Sequence, residues 1–202
     1  WGNCFFPGAT IVAHEHCRAM LEERGIPSLE AAKRQNPAMR QVKIALPHMT
    51  FKTGELTLRV GKKNLILSTT PGHSGDGISV LVEEDRILFA GDAFMPLPYI
   101  VDGDVDEIMT SIKHIGRMGL ENIVQGHGDV ILRGEIDAAV KEFIGFLTAF
   151  ISSVKSASKR KNADELIVQI SIESCGKSRV YLGGLAEQLH RRNLQALLQS
   201  MS

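Results

Sequence analysis

From residue 49 to residue 90 the chain breaks into short apolar runs at 49–51, 56–60, 65–70, 78–83 and 87–90. Gly54, Gly61-Lys62, Pro71-Gly72 and Glu84-Asp85 separate them. Such runs are too short for ordinary helices, and the residues between them are turn formers, so the pattern predicts strands joined by tight turns. The flanks read differently. A β-branched run at 10–13 predicts a buried strand. A helix over roughly 14–24, ended by Gly25 and Pro27, and a short helix from Ser28 to about Asn36-Pro37 follow it. Beyond residue 90, Ile108, Ile112 and Ile115 mark one face of a helix over 105–118, and 122–125 reads as another buried strand. A long amphipathic helix is expected over about 135–158. Its apolar stripe is Ile136, Val140, Phe143, Phe146, Leu147, Phe150, Ile151 and Val154. Two more helices, near 163–174 and 180–200, close the chain. This order predicts a layered α/β fold in one domain over 1–202, with 134–202 as a helical C-terminal portion.

Composition narrows the class of partner. The 202 residues are 44% hydrophobic and 23% charged, with 23 basic and 23 acidic side chains. Zero net charge gives no electrostatic reason to expect nucleic acid or an anionic membrane. The basic run Lys159-Arg160-Lys161 reads as a solvated helix end. The apolar stretch 143–154 is too short to span a bilayer and contains Thr148, Ser152 and Ser153. Cys4, Cys17 and Cys175 are far apart and odd in number, which argues against a disulfide framework. With no secretory signal at the start, a cytoplasmic location is expected.

Three segments place a metal-type ligand beside glycine at an expected strand end. They are Thr70-Pro71-Gly72-His73-Ser74-Gly75-Asp76, Phe89-Ala90-Gly91-Asp92 and Gln125-Gly126-His127-Gly128. Neutral imidazole and carboxylate suit zinc and similar divalent ions. Singly, a histidine after a strand is more often a hydrogen-bonded structural residue, and an aspartate after glycine a turn or cap. The series of three is far more specific. Asp102, Asp104 and Asp106 precede a helix, where capping is the expected role.

The succession PGHS-x-D, LFAGD and GHG resembles the metallo-β-lactamase superfamily. The opening WGN-x-FFPGATIVAHE is similar to the stretch after that family's first metal motif. His190-Arg191-Arg192-Asn193-Leu194 resembles the last helix of its cyclase-like or SoxH-like branch. The resemblance implies an αββα sandwich. It also implies that His73 binds one metal, Asp92 bridges two and acts catalytically, and His127 binds the second. Asp76 would order the loop or support His73. The implied cofactor is zinc, two ions per intact site, with iron or manganese as alternatives. A metal-bound hydroxide would attack an ester, lactam, lactone or thioester bond of a small-molecule substrate.

The family's HxHxDH motif does not occur in these residues. It is expected just before Trp1, so the first sheet should lack its opening strands and activity should be impaired. His14-Glu15-His16 has HxH spacing but is expected to begin a helix, and Cys17 and Arg18 stand where Asp-His would follow. His48 and His114 are expected to be surface or helix residues, and His190 a solvated or packing residue. A non-catalytic relative serving binding or assembly is the competing reading. The stripe over 136–154 could serve a homodimer, although packing on its own sheet explains it more simply. The segment 95–99 is expected near the metal mouth, where it would favour an apolar substrate portion.

Overall fold

The computed structural model describes residues 1–100 and 103–201, and the side chains up to residue 198. Asp102 therefore lies outside the described residues. The contacts divide the chain into two compact units, 1–56 and 57–202.

In the first unit, strand β1 (Val12–His14) pairs in parallel with β2 (Met49–Phe51), Val12 opposite Met49 and His14 opposite Phe51. Helix α1 (Glu15–Met20) does not stop at Gly25. It runs through a π-turn, Leu21–Gly25, into α2 (Ile26–Gln35). Pro27 directly follows the π-turn, whose i→i−5 bond from the Ile26 N–H to the Leu21 carbonyl already departs from the α-helical ladder that a proline would interrupt. His14 caps α1: its Nδ1 accepts from the His16 N–H at 3.1 Å, and its Nε2 lies 2.8 Å from the Lys52 carbonyl. Both ring nitrogens are thus engaged.

In the second unit, β3 (Glu55–Val60), β4 (Lys63–Thr69), β5 (Ile78–Val82), β6 (Ile87–Gly91), β7 (Asn122–Gln125) and β8 (Ile131–Leu132) form a six-stranded sheet in that order. β4 and β5 are antiparallel, as are β5 and β6, whereas β6 and β7 are parallel. Hence β4, β6 and β7 all run the same way. The parallel step needs a crossover, which α3 (Val105–Ile115) supplies. Asp104 caps α3 by accepting from the N–H groups of Asp106 and Glu107 at 2.7 and 3.1 Å, as expected for an acidic residue there.

The core lies between the sheet and the helices. Leu88, Ala90 and Ile123 from the sheet, Ile108, Ile112 and Ile115 from α3, and Phe143, Phe146, Leu147, Phe150 and Val154 from α4 (Ile136–Ser158) are buried in one cluster. The stripe read from the sequence is therefore covered by the chain's own core, with Val140 and Ile151 only partly buried. No helix among the described residues is long and apolar enough to cross a membrane.

The C-terminal part is more broken than its periodicity predicts. α5 (Ala163–Val168) is short, and a separate turn, Glu173–Cys175, follows it. The left-handed backbone at Leu182 (φ 55°) and Gly183 (φ 64°) delays the last helix, α6, to Ala186–Met201. His190 of α6 is a packing residue and not a solvated one. It is 1% exposed, its edge faces Phe146 and Phe150, and its Nε2 lies 3.0 Å from the Ile170 carbonyl. Burial pushes its pKa below the ordinary imidazole value, outweighing the hydrogen bond to Ile170.

This packing makes two measurable claims. Phe150→Ala, at 0% exposure, is expected to lower unfolding stability by about 3–5 kcal/mol in urea titration. For His190, the unfolded chain takes up a proton more readily than the folded one. Stability is then full above the ordinary imidazole pKa of about 6.5 and falls as pH drops through and below it. Urea midpoints between pH 8 and about pH 5 should show this slope, and His190→Leu should flatten it.

Candidate functional site

Strand direction assembles the site. Because β4, β6 and β7 point the same way, the segments after them leave the same edge of the sheet. His73 follows β4, Asp92 follows β6 and His127 follows β7. The structure brings all three together, with Asp92 in the middle. His73 Nε2 is 3.6 Å from Asp92 Oδ2, and His127 Nε2 is 3.5 Å from Asp92 Oδ1. Each histidine thus faces a different oxygen of one carboxylate.

The surroundings hold this arrangement. A Cβ on Gly126 would overlap the Asp92 carboxylate, so the backbone before His127 approaches Asp92 as closely as only glycine permits. The Gly126 N–H donates to the Gly91 carbonyl at 2.8 Å, tying the ends of β6 and β7 together. Gly72 has φ +131°, and a Cβ there would overlap the backbone of Ile108 in α3. The Ser111 hydroxyl donates to the Pro71 carbonyl at 2.8 Å and fastens the same loop to α3. His73 is mostly enclosed, with 19% side-chain exposure, whereas His127 is open at 58%.

His73 Nδ1 lies 2.7 Å from the Tyr99 carbonyl, so Nδ1 carries the proton in that contact. In the neutral ring this leaves the Nε2 lone pair directed at Asp92. The Tyr99 ring also leans on the imidazole at 5.7 Å between centroids. Asp76 is half-buried in the turn after His73. Among the described contacts it is Tyr99, a residue that sequence reasoning places only near the site mouth, that holds His73.

The spacings can be compared with those of the expected ions. Two donors about 2.0–2.1 Å from a tetrahedral zinc stand about 3.4 Å apart. The separations of 3.5 and 3.6 Å agree with one ion between each histidine and the carboxylate. Each position then has two protein donors, short of the three of a catalytic zinc. Among the described residues no cluster of three or more His, Cys, Asp or Glu side chains forms a complete ion site. In donor chemistry and spacing the three residues fit part of an ion-binding set, and among the described residues they do not complete one. His14 spends both ring nitrogens within the first unit, on the His16 N–H and the Lys52 carbonyl.

A cavity of about 500 Å³ opens over the site. One wall is His73, Asp92 and His127; the other is apolar, from Met95, Leu182, Leu185 and Leu189. Met95 and Tyr99 line it, in keeping with the expectation for segment 95–99. The leucines are missed by sequence reasoning, because they belong to the broken start of α6. Their only sequence signal is Gly183-Gly184 interrupting a helical period.

Comparison with known proteins places the chain in the metallo-β-lactamase superfamily, whose family description matches residues 6–160. The chain belongs to that family, and its α/β architecture is the family's fold. Among curated proteins, it is 39% identical over 67 residues to a beta-lactamase-like protein 2 homolog of Caenorhabditis elegans, covering 33% of this chain and 23% of that one. It is 35% identical over 83 residues to the thioesterase pkgB of Emericella nidulans, covering 41% and 22%. The matched stretches thus span under a quarter of either relative. Among solved structures, a metallo-beta-lactamase family protein of Thermus thermophilus superposes with a TM-score of 0.58 at 20% identity, covering 94% of this chain and 67% of that one.

Enclosure separates the roles of the site residues in stability. Gly126→Ala is expected to cost about 1–3 kcal/mol in urea unfolding, the usual range for forcing a methyl into a filled position. His127→Ala, at an open position, should stay within about 0.5 kcal/mol of the parent.

Proposed function

We propose that this chain is the ligand-bearing part of a metal-dependent hydrolase that cleaves an ester, thioester, lactone or lactam bond. The single observation that carries this reading is Asp92 standing between His73 and His127 at ligand-to-ligand distances. Divalent ions bound there, with zinc the best match to the donors, would polarise a scissile carbonyl and lower the pKa of a water to about 7.

The chain's own residues have distinct parts in this. Asp92 offers one carboxylate oxygen to each side. His73 presents Nε2 in a fixed orientation because the Tyr99 carbonyl holds its Nδ1. His127, being open, adjusts to what binds. The apolar side chains Met95, Leu182, Leu185 and Leu189 offer contact area to an apolar part of the substrate. Two relatives carry the name thioesterase: pkgB, and the atrochrysone carboxyl ACP thioesterase of Aspergillus fumigatus, 36% identical over 62 residues. Those names support testing acyl thioesters first.

The test is a panel of acyl thioesters, carboxylic esters, lactones and β-lactams, assayed with Zn²⁺, Mn²⁺ or Fe²⁺ supplied. Asp92→Ala should lower kcat/KM on any turned-over substrate by at least about 100-fold, the scale seen when a charge-stabilising group is removed. Activity that survives Asp92→Ala would exclude this site. Tyr99→Ala keeps the backbone carbonyl, so it should shift preference among acyl groups more than it lowers turnover of the smallest one.

A second reading has its own observation. With only two donors on each side of Asp92 and no complete ion cluster among the described residues, the chain could serve as a non-catalytic binding protein of the same fold. Calorimetric titration with Zn²⁺ separates the two. The hydrolase reading expects weak Zn²⁺ binding, since each side of Asp92 has only two donors, and expects it to be lost in Asp92→Ala and weakened in His127→Ala. Absence of binding favours the alternative.

A further inference from the structure

We propose that Asn193, assisted by Arg192, is a positioning residue that sets the tautomer and orientation of His73 from the far end of the chain. The inference concerns the site proposed above and takes only its functional consequence from that reading.

Asn193 is a buried polar residue of α6, 1% exposed. Its amide makes two contacts with one short stretch of backbone. Nδ2 donates to the Pro98 carbonyl at 2.6 Å, and Oδ1 accepts from the Ile100 N–H at 2.9 Å. The residue it straddles is Tyr99. The carbonyl of residue 99 and the N–H of residue 100 belong to one trans peptide and point in opposite directions. An amide that takes the N–H of residue 100 therefore leaves the carbonyl of residue 99 facing away from the helix. That carbonyl is the one 2.7 Å from His73 Nδ1. Arg192, the preceding residue of the helix, donates from Nη1 to the Tyr99 hydroxyl at 3.2 Å. The side chain of the same residue is therefore held as well, with its ring against the imidazole.

The chemistry of the amide explains why asparagine occupies this position. Only a side chain with a donor and an acceptor in one plane satisfies both a carbonyl and an N–H, and a buried site leaves neither group water as an alternative. Removing the amide frees the 98–100 backbone to turn and exposes the Tyr99 carbonyl to other donors. His73 then loses the acceptor that keeps its proton on Nδ1. Partners behind a metal-type histidine commonly fix which ring nitrogen faces the ion. Here that partner is a backbone carbonyl, and a residue 94 positions further on in sequence aims it.

The test reads the ring directly and needs neither metal nor substrate. Long-range ¹H–¹⁵N correlation spectra of the uniformly ¹⁵N-labelled chain at about pH 8, where an ordinary imidazole is neutral, report each histidine's tautomer. His73→Gln assigns the signal. The parent should show His73 as a single Nδ1–H form. Asn193→Ala should lose that single form while circular dichroism shows the fold retained. Ile167→Ala, a core truncation in α5, serves as a control destabilised in its core and should keep it. If Asn193→Ala does not fold, Asn193→Asp retains the acceptor for Ile100 and removes the donor to Pro98, and it should show the same loss. An unchanged Nδ1–H signal in a folded Asn193 variant overturns the proposal. Inactivity of the parent on every substrate leaves the tautomer result standing, so the two readings fail separately.

Discussion

His73 Nε2 and Asp92 Oδ2 face each other across 3.6 Å, with His127 Nε2 at the other oxygen of the same carboxylate. Left in water, such a pair would swing apart, because holding two flexible side chains in one geometry costs conformational entropy. Here neither is free to do so. Asp92 sits where Gly126 has no side chain, and His73 is tied at its back to Tyr99. Packing and hydrogen bonds therefore hold the imidazole and the carboxylate in one arrangement, and side chains preorganised in this way are characteristic of functional sites.

Most of the second unit bears on that one edge of the sheet. The parallel pairing of β6 and β7 brings Asp92 and His127 to the same end, and α3 is the crossover that makes the pairing possible. α3 in turn packs so close to the His73 loop that Gly72 has no room for a Cβ, and Ser111 fastens that loop by its hydroxyl. The helical core around Phe143, Phe146 and Phe150 buries α6, which carries Asn193 to the loop over His73. Core packing and site geometry thus meet in α6: His190 and Asn193, three residues apart, lie on its buried side, one set among phenylalanines and the other bonded to the loop backbone.

The strands and the three side chains that meet at Asp92 are legible in the sequence because they carry local signals. Alternating apolar runs, turn glycines and the His73, Asp92 and His127 segments read directly from neighbouring residues, and strand direction does the rest. The parts that are not legible depend on contacts between distant residues. Nothing near Tyr99 announces that its carbonyl will be used, since every residue has one. Asn193 looks like any polar residue on a helix until the loop it bonds is placed 95 positions away at Pro98. Two arginines follow His190 and suggest a solvated side chain, yet the helical period turns it inward while they face out. Composition predicts a helix break at Gly25 that does not occur, because a π-turn absorbs the irregularity just before Pro27.

The leucine wall shows how the same break logic can work in favour of function. Had the helix run unbroken from residue 180, Leu182 would follow helical geometry and present its side chain on a helix surface. The left-handed backbone at Leu182 and Gly183 redirects it to line the cavity with Leu185 and Leu189. A leucine held at positive φ is a strained conformation, of order 1–3 kcal/mol, that persists only where the surroundings enforce it. Lining one cavity with that strained residue and with Asp92 sets an apolar side chain and a carboxylate around the same space.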